Sequence, residues 1–177
     1  FSKGFFDPMN KRYFNLINRS FNLNELYTEE FISSIEMDKI FGEFEKIFDK
    51  PNTSSLFNKM TYFDLKTLLP ALLHIEDRVS MAVSIESRVP LLDRRVAELA
   101  ASIPPVMKFS GGKLKHILLK SIKDVLPGEI LARRDKMGFP TPLNDWMKGP
   151  LREYVMDIFL SNETKQRGIY KVENIEK

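Results

Sequence analysis

Apolar residues recur at intervals of three to four along most of the chain, which is the spacing of α-helices that bury one face. Residues 1–26 are aromatic and weakly periodic, so we expect short helices and loops there. Thr28 can cap the helix that follows it, because its side-chain oxygen can accept a hydrogen bond from a free amide. A second helix is predicted from Asp38 to Phe48, ending before Pro51 because the residue ahead of a proline avoids the helical region. No stretch alternates as a strand does, and the pattern predicts a mostly α-helical chain.

From Leu56 onward the helical spacing is strong, and Pro70 leaves two alternatives open. A proline can start a helix, where its missing amide costs nothing, or kink a longer one. We favour a new helix from Pro70 to about Ser84. One stripe of this helix is predicted to face the core: Leu69, Leu72, Leu73, Glu76, Val79 and Val83. A separate polar stripe comprises His74, Asp77, Ser80 and Ser84.

Proline and glycine divide the remaining sequence into shorter helices. Asp93 can cap the first of them, which Pro104 stops. The later ones are predicted from Lys113 to Val125, from Pro127 to about Ala132, from Leu143 to Met147 and from Pro150 to Leu160. The segment from Arg133 to Pro142 is predicted to be a loop, because its two prolines and its glycine disfavour regular structure.

Composition excludes several classes of protein but does not indicate a function. With 177 residues, 43% of them hydrophobic, the chain can bury a core. Its net charge of +3 is too balanced to imply nucleic acid. The lack of cysteine excludes disulfides and thiolate chemistry, and no apolar run reaches the roughly 20 residues of a membrane span. We expect a soluble, cytoplasmic protein without a membrane partner, and the absence of an initiating methionine suggests a fragment.

The segment from Ile75 to Asp93 mixes four acids and two arginines with apolar residues. Charges buried in a core are costly unless they are paired. Asp77, Arg78, Glu86 and Arg88 therefore suggest either a buried ion network that joins two helices or the wall of a site. Composition alone favours the network, because ion networks are also common in purely structural settings.

Two smaller patterns carry weaker signals. Ser110-Gly111-Gly112-Lys113 resembles a phosphate loop but lacks the glycine and the hydroxyl that a Walker motif requires at Met107 and Leu114, so a turn before a helix is favoured. His74 and His116 are the only histidines and there is no cysteine, so the sequence does not favour a protein-held zinc site. His74 and Asp77 could orient one another, although no nucleophile is evident, and a structural role is favoured.

The loop around Lys136 has a different character, since three cations occupy four positions beside a glycine. Such a loop could order around a polyanionic ligand and exclude water from it. The alternative is a solvated basic loop, and the residues alone leave both readings open.

Three motifs carry a resemblance to a known family: DRVSMA at residues 77–82, ESRVPLLD at 86–93 and RDKMGFPTP at 134–142. With Leu126-Pro127 and Trp146 in the same order, residues 56–160 resemble the carboxyl-terminal half of the synthetase domain of glutamine-dependent asparagine synthetases. Residues 1–55 match only loosely. We therefore predict a helical amino-terminal segment at 1–55 and the carboxyl-terminal helical part of the synthetase domain at 56–177.

The resemblance implies a fold and a reaction. The chain would be the helical carboxyl-terminal portion of an α/β ATP-pyrophosphatase domain of the adenine nucleotide alpha hydrolase type, whose parallel sheet lies upstream. In this family ATP adenylates the side-chain carboxylate of aspartate, and ammonia then displaces AMP. The implied partners are the remainder of the synthetase domain, an amino-terminal glutaminase domain, ATP and Mg²⁺ held mainly outside this chain, with a homodimer left open.

The resemblance also assigns roles by position. Lys136 matches the lysine of the family's mobile loop and is the predicted catalytic residue, because its charge could stabilise the phosphates or the tetrahedral intermediate. Six further residues are predicted to line or brace the substrate and ATP site: Asp77, Arg78, Glu86, Arg88, Arg134 and Gly138.

The sequence departs from the family in two respects. It has no cysteine for a glutaminase, and Ser110-Gly111-Gly112 lacks the aspartate and serine of the family's SGGxDS loop and follows motifs that this loop should precede. The chain is therefore expected to be inactive alone. The alternatives are amide formation on another acceptor, of the β-lactam, lasso-peptide or sugar-pathway type, and a non-catalytic helical interaction module.

Overall fold

The protein is described by a computed structural model at residue 4 and at residues 6–20, 22–135 and 141–175. Within these ranges it forms twelve α-helices and two short 3-10 helices, and no strand. The α-helices are α1 (Met9–Ile17), α2 (Leu23–Leu26), α3 (Glu29–Ser34), α4 (Met37–Phe48), α5 (Leu56–Met81), α6 (Arg94–Ser102), α7 (Pro105–Lys108), α8 (His116–Ser121), α9 (Gly128–Ala132), α10 (Leu143–Lys148), α11 (Arg152–Phe159) and α12 (Asn162–Gln166). The 3-10 helices are Pro90–Leu92 and Val172–Asn174. The prediction of a mostly α-helical chain is confirmed.

The chain divides into two compact units, and the division falls inside α4. Residues 1–44 and 137–177 form the first unit, and residues 45–136 form the second. The boundary predicted between residues 55 and 56 stays a prediction.

Aromatic packing builds the first unit around the amino end of the chain. The ring of Phe14 on α1 lies 5.2 Å from the ring of Phe41 and 5.2 Å from that of Phe44, both on α4. Tyr13 and Phe44 are buried. Edge-to-face and tilted ring pairs add to the free energy gained from burial alone, so this cluster fixes α1 against α4.

A clasp between residues 24–28 and 168–174 joins the two chain segments of the first unit. The Thr28 amide donates to the Ile169 carbonyl at 3.0 Å, and the Lys171 amide donates to the Leu26 carbonyl at 2.8 Å. The Thr28 hydroxyl donates to the Gly168 carbonyl at 2.6 Å and also accepts from the Phe31 amide at 3.2 Å. Thr28 therefore caps α3, as predicted, and ties α3 to a segment 140 residues later.

The second unit holds the most buried large side chain. Phe48, at the end of α4, is 1% exposed. The Lys59 ammonium lies 5.9 Å from the centre of the Phe48 ring and pairs with the Asp49 carboxylate. A cation beside an aromatic face and a carboxylate is stabilised by both, and the start of α5 is thereby fixed next to the end of α4.

The helix predicted to start at Pro70 is wrong in its bounds, because α5 runs without interruption from Leu56 to Met81 with Pro70 inside it. The proline has no amide to donate to the Lys66 carbonyl, but the turns on either side keep their bonds. The Thr67 hydroxyl donates to the Phe63 carbonyl at 2.8 Å. The helix therefore continues past a residue that normally starts or breaks one.

Most of the stripe predicted to face a core is exposed in this chain. Leu72 is 54% exposed and Val79 66% exposed, Glu76 and Val83 are exposed as well, and Leu69 and Leu73 are half-buried. The neighbouring Leu65, Leu68 and Ile75 are also exposed. The periodicity of an apolar face was correct, but the described residues contain nothing that covers it. The prediction of burial within this chain is therefore wrong for Leu72, Glu76, Val79 and Val83.

Most of the later helices lie close to the positions predicted from the sequence. The Asp93 carboxylate accepts from the Arg95 amide and caps α6, as predicted. The helix predicted from Lys113 to Val125 is wrong in its bounds, because α8 extends only from His116 to Ser121 and Lys115 has the left-handed φ of 56°. No helix of the described residues is long and apolar enough to cross a membrane.

Replacing Thr28 by alanine should lower the free energy of unfolding by about 1–2 kcal/mol, because it removes a helix cap and a hydrogen bond between distant segments. Thr28→Ser should keep most of that stability, since its hydroxyl can make both bonds. Urea unfolding measures the difference. The control is Ser33→Ala, whose hydroxyl donates only within α3 to the Glu30 carbonyl; equal losses in Thr28→Ala and Ser33→Ala would contradict the clasp.

Candidate active-site segments

The carboxyl end of α5 closes in a Schellman motif with serine where glycine is usual. The Ile85 amide donates to the Ser80 carbonyl at 2.9 Å, and the Ser84 amide donates to the Met81 carbonyl at 3.0 Å. Ser84 has a φ of 58°. A left-handed conformation costs a residue with a side chain about 1 kcal/mol, so other contacts must hold this turn.

The Ser87 hydroxyl supplies such a contact, whereas the Ser80 hydroxyl bonds within α5 just before the turn. The Ser80 hydroxyl donates to the Glu76 carbonyl at 2.7 Å. The Ser87 hydroxyl donates to the Glu76 carboxylate at 3.0 Å, across eleven positions of sequence. The segment after the turn is therefore tied back to the last turns of α5.

The predicted site residues near this turn form local, exposed ion pairs. The Arg88 guanidinium lies 2.8 Å from the Glu86 carboxylate, and the Arg78 guanidinium lies 3.8 Å from the Asp77 carboxylate. All four side chains are more than half exposed. The buried ion network favoured by composition is wrong for the described residues, because each pair joins neighbours in sequence and all four side chains remain exposed.

Asp93 and Arg95 fix the entrance to α6. The Arg95 guanidinium donates to both carboxylate oxygens of Asp93, at 3.0 and 3.1 Å. The same carboxylate accepts from the Arg95 backbone amide at 2.9 Å. The side-chain hydrogen bond and then the backbone bond hold the pKa of Asp93 below its usual value. The ESRVPLLD motif thus ends in a charged helix cap.

The segment from Ser110 to Lys113 is a tight turn and not the start of a helix. The Ser110 amide donates to the Lys113 carbonyl at 3.2 Å, and the Lys113 amide donates to the Ser110 carbonyl at 3.0 Å. Gly111 and Gly112 have φ values of 57° and 74°, which favour glycine. These two amides are used within the turn, which agrees with the favoured reading of a turn and not with a phosphate loop.

The basic loop is described only up to Asp135. The Arg133 guanidinium donates to both carboxylate oxygens of Asp135, at 3.2 and 3.0 Å. This side-chain bond lowers the pKa of Asp135. Arg134 is exposed beside this pair. Lys136 and Gly138, the catalytic and bracing residues predicted from the resemblance, lie outside the described residues.

Cavities and metal-binding groups give no further assignment. Two open cavities of about 540 and 610 Å³ lie in the first unit, one of them lined by Tyr170 and the other by Tyr154, and neither lining includes a predicted site residue. Among the described residues no group of three or more His, Cys, Asp or Glu side chains could hold a metal ion. His74 lies on the exposed surface of α5.

Sequence reasoning overlooked Glu76, Ser84 and Ser87 as residues that shape this region. Ser84 gave no signal because the left-handed position of a helix end is usually marked by glycine. Glu76 was placed on the core-facing stripe, whereas its carboxylate is exposed and bound to Ser87. The eleven-residue spacing of Glu76 and Ser87 matches no helical or strand period, so no periodicity could have paired them.

Comparison with known proteins places these segments in a family. The sequence model described as asparagine synthase matches residues 5–177. The chain belongs to the asparagine synthase family. The matched range includes the end of α5, its closing turn and the basic loop.

Named asparagine synthetases share part of this sequence. Asparagine synthetase [glutamine-hydrolyzing] 1 of Bacillus subtilis is 36% identical over 118 residues, which are 66% of this chain and 18% of the relative. The human asparagine synthetase [glutamine-hydrolyzing] is 38% identical over 85 residues, 45% of this chain and 15% of the relative. The matched region thus spans less than a fifth of either asparagine synthetase. No solved structure gives a significant match to the chain.

Replacing Arg95 by glutamine should raise the pKa of Asp93 towards its ordinary value, because the guanidinium is lost while the backbone amide stays. The folded-state pKa of Asp93 is lowered, so its contribution to stability is present above the ordinary aspartate pKa and is lost as the pH falls through the lowered value. Carboxyl-carbon NMR titration of labelled aspartate measures this pKa. Arg94→Gln is the control, since Arg94 pairs with Glu98; an Asp93 pKa that responds equally to both changes would refute the assignment.

Proposed function

We propose that this chain is part of an ATP-dependent amidoligase that makes asparagine from aspartate and glutamine-derived ammonia. The match of the family model to residues 5–177 carries this proposal. The side-chain carboxylate of aspartate attacks the α-phosphorus of ATP, and pyrophosphate leaves. Ammonia then adds to the acyl carbon of aspartyl-AMP, AMP leaves with the attacking oxygen, and a proton passes to solvent.

The described residues support parts of this reaction. The Glu86–Arg88 pair is exposed on a segment anchored to α5, where both charges are accessible to a polar substrate. Arg133 and Arg134 precede Lys136 closely in the sequence; Arg134 is exposed, and the charge of Arg133 is paired with Asp135. A cationic loop stabilises negative charge as it develops on a transferring phosphoryl group. We assign the catalytic role to Lys136 and a lining or bracing role to Asp77, Arg78, Glu86, Arg88, Arg134 and Gly138.

ATP is a substrate of the proposed reaction, and Mg²⁺ would neutralise charge on its phosphates. The described residues contain no acidic cluster that fits such an ion. In this proposal the ion is held mainly by residues of the synthetase domain outside this chain, and the protein acts in the cytoplasm.

The remainder of the synthetase domain is the proposed cover for the exposed face of α5. Leu65, Leu68, Leu72, Ile75 and Val79 recur at alternating intervals of three and four, which is the contact pattern of packed helices. An apolar face of this length is unfavourable in water. The named relatives are more than five times longer than the segments they share with this chain, so they contain ample sequence to cover it.

Replacing Lys136 by alanine in the full-length protein that carries this chain should lower aspartate-dependent pyrophosphate release about a hundredfold or more, because an electrostatic contact to the transferring group is lost. Enzyme-coupled detection of pyrophosphate measures the rate. Lys120→Ala, at an exposed position of α8, is the matched control and should act like the wild type. Near-normal pyrophosphate release by Lys136→Ala would contradict the catalytic role proposed for Lys136.

Introducing Leu72→Lys into the full-length protein should lower its free energy of unfolding by about 3 kcal/mol or more, because a buried, unpaired charge is costly. His74→Lys adds the same charge to the polar side of α5 and should change the stability little. Chemical unfolding compares the two variants. If both variants unfold like the wild type, the α5 face is not covered in the full-length protein.

A further inference from the structure

A hydrogen bond between Ser87 and Glu76 connects the segment after α5 to that helix. Glu76 lies on α5, and Ser87 lies between the two site residues Glu86 and Arg88. The Ser87 hydroxyl donates to the Glu76 carboxylate at 3.0 Å, whereas Glu86 and Arg88 pair with each other at 2.8 Å. The middle side chain of this triplet thus contacts α5 while its two neighbours contact one another.

The ion pair and the hydrogen bond explain this arrangement. The Glu86 and Arg88 side chains are exposed and paired with each other, while the Ser87 side chain between them reaches the Glu76 carboxylate on α5. Residues 85–89 have no regular structure. Fixing the Ser87 side chain on α5 therefore restricts the backbone that carries Glu86 and Arg88 on either side of it. A rotation of this segment would move both charges at once.

The turn that leads into this segment does not hold its geometry without help. Ser84 has the left-handed φ of 58°, which is unfavourable for a residue with a side chain. The two backbone bonds of the Schellman motif close the turn as far as Ile85. Beyond Ile85, the hydrogen bond from the Ser87 hydroxyl to the Glu76 carboxylate connects the described segment to α5.

We propose that Glu76 and Ser87 are positioning residues that orient Glu86 and Arg88 towards the acyl-transfer site. This inference rests on the proposed function, since Glu86 and Arg88 are assigned to that site. Neither Glu76 nor Ser87 touches substrate. The carboxylate acts through the serine, and the serine acts through the backbone on either side of it.

The test measures asparagine formation from aspartate, ATP and ammonium by the full-length protein. Ser87→Ala and Glu76→Ala should each lower kcat about tenfold, the effect of losing a hydrogen bond to a charged group, while the KM for ATP stays near the wild-type value. The double variant should be no slower than the slower single variant, because both changes remove one interaction. Glu76→Gln should restore most of kcat, since its amide oxygen can accept the same bond.

Two control variants distinguish a loss of positioning from a general loss of structure. Ser121→Ala removes a hydroxyl that donates only to the Leu118 carbonyl of its own helix, and Glu98→Ala removes an exposed carboxylate that pairs with Arg94. Both should leave kcat unchanged. Single variants at the wild-type rate, or losses that multiply in the double variant, would overturn the positioning role while the wild type stays active. A wild type that forms no asparagine would overturn the proposed function, and the positioning role with it.

Discussion

The structure depends on a long helix whose apolar face is not covered by the described part of its own chain. α5 spans 26 residues, and the apolar side chains along one of its faces are exposed. The buried hydrophobic side chains among the described residues are Tyr13, Phe44 and Phe48, at or near α4. Burial of apolar area is the main driving force of folding. In our proposal the remainder of the synthetase domain covers α5, and the matched region spans only 18% of the Bacillus subtilis relative.

Asp77, Arg78, Glu86 and Arg88 consequently make local polar contacts and are not held by a packed core. The Schellman closure at Ser84, the bond between Ser87 and Glu76, and the bidentate pair of Asp93 and Arg95 follow one another along the ESRVPLLD region. Exposed ion pairs contribute little stability individually. Together these contacts fix the path of the chain from the end of α5 to the start of α6.

The sequence predicted local features well and tertiary features poorly. Thr28 and Asp93 were recognisable as caps because capping depends on a few neighbouring residues. The continuity of α5 through Pro70 was not recognisable from the sequence, because a proline can either start a helix or kink a longer one. Periodicity marked Leu72 and Val79 as an apolar face but could not say whether the described residues cover it, and they leave it exposed. The catalytic role predicted for Lys136 rests on the family resemblance alone, since a basic loop by itself is equally consistent with a solvated surface.

The central claim is that this chain serves an enzyme that activates aspartate through aspartyl-AMP. Aspartate labelled with ¹⁸O in its side-chain carboxylate tests it most directly, with the full-length protein, ATP and ammonium as the other components. The carboxylate oxygen that attacks phosphorus leaves with AMP, so the mechanism predicts one ¹⁸O in the AMP phosphate by mass spectrometry. AMP without the label, or cleavage of ATP to ADP and phosphate, would contradict it.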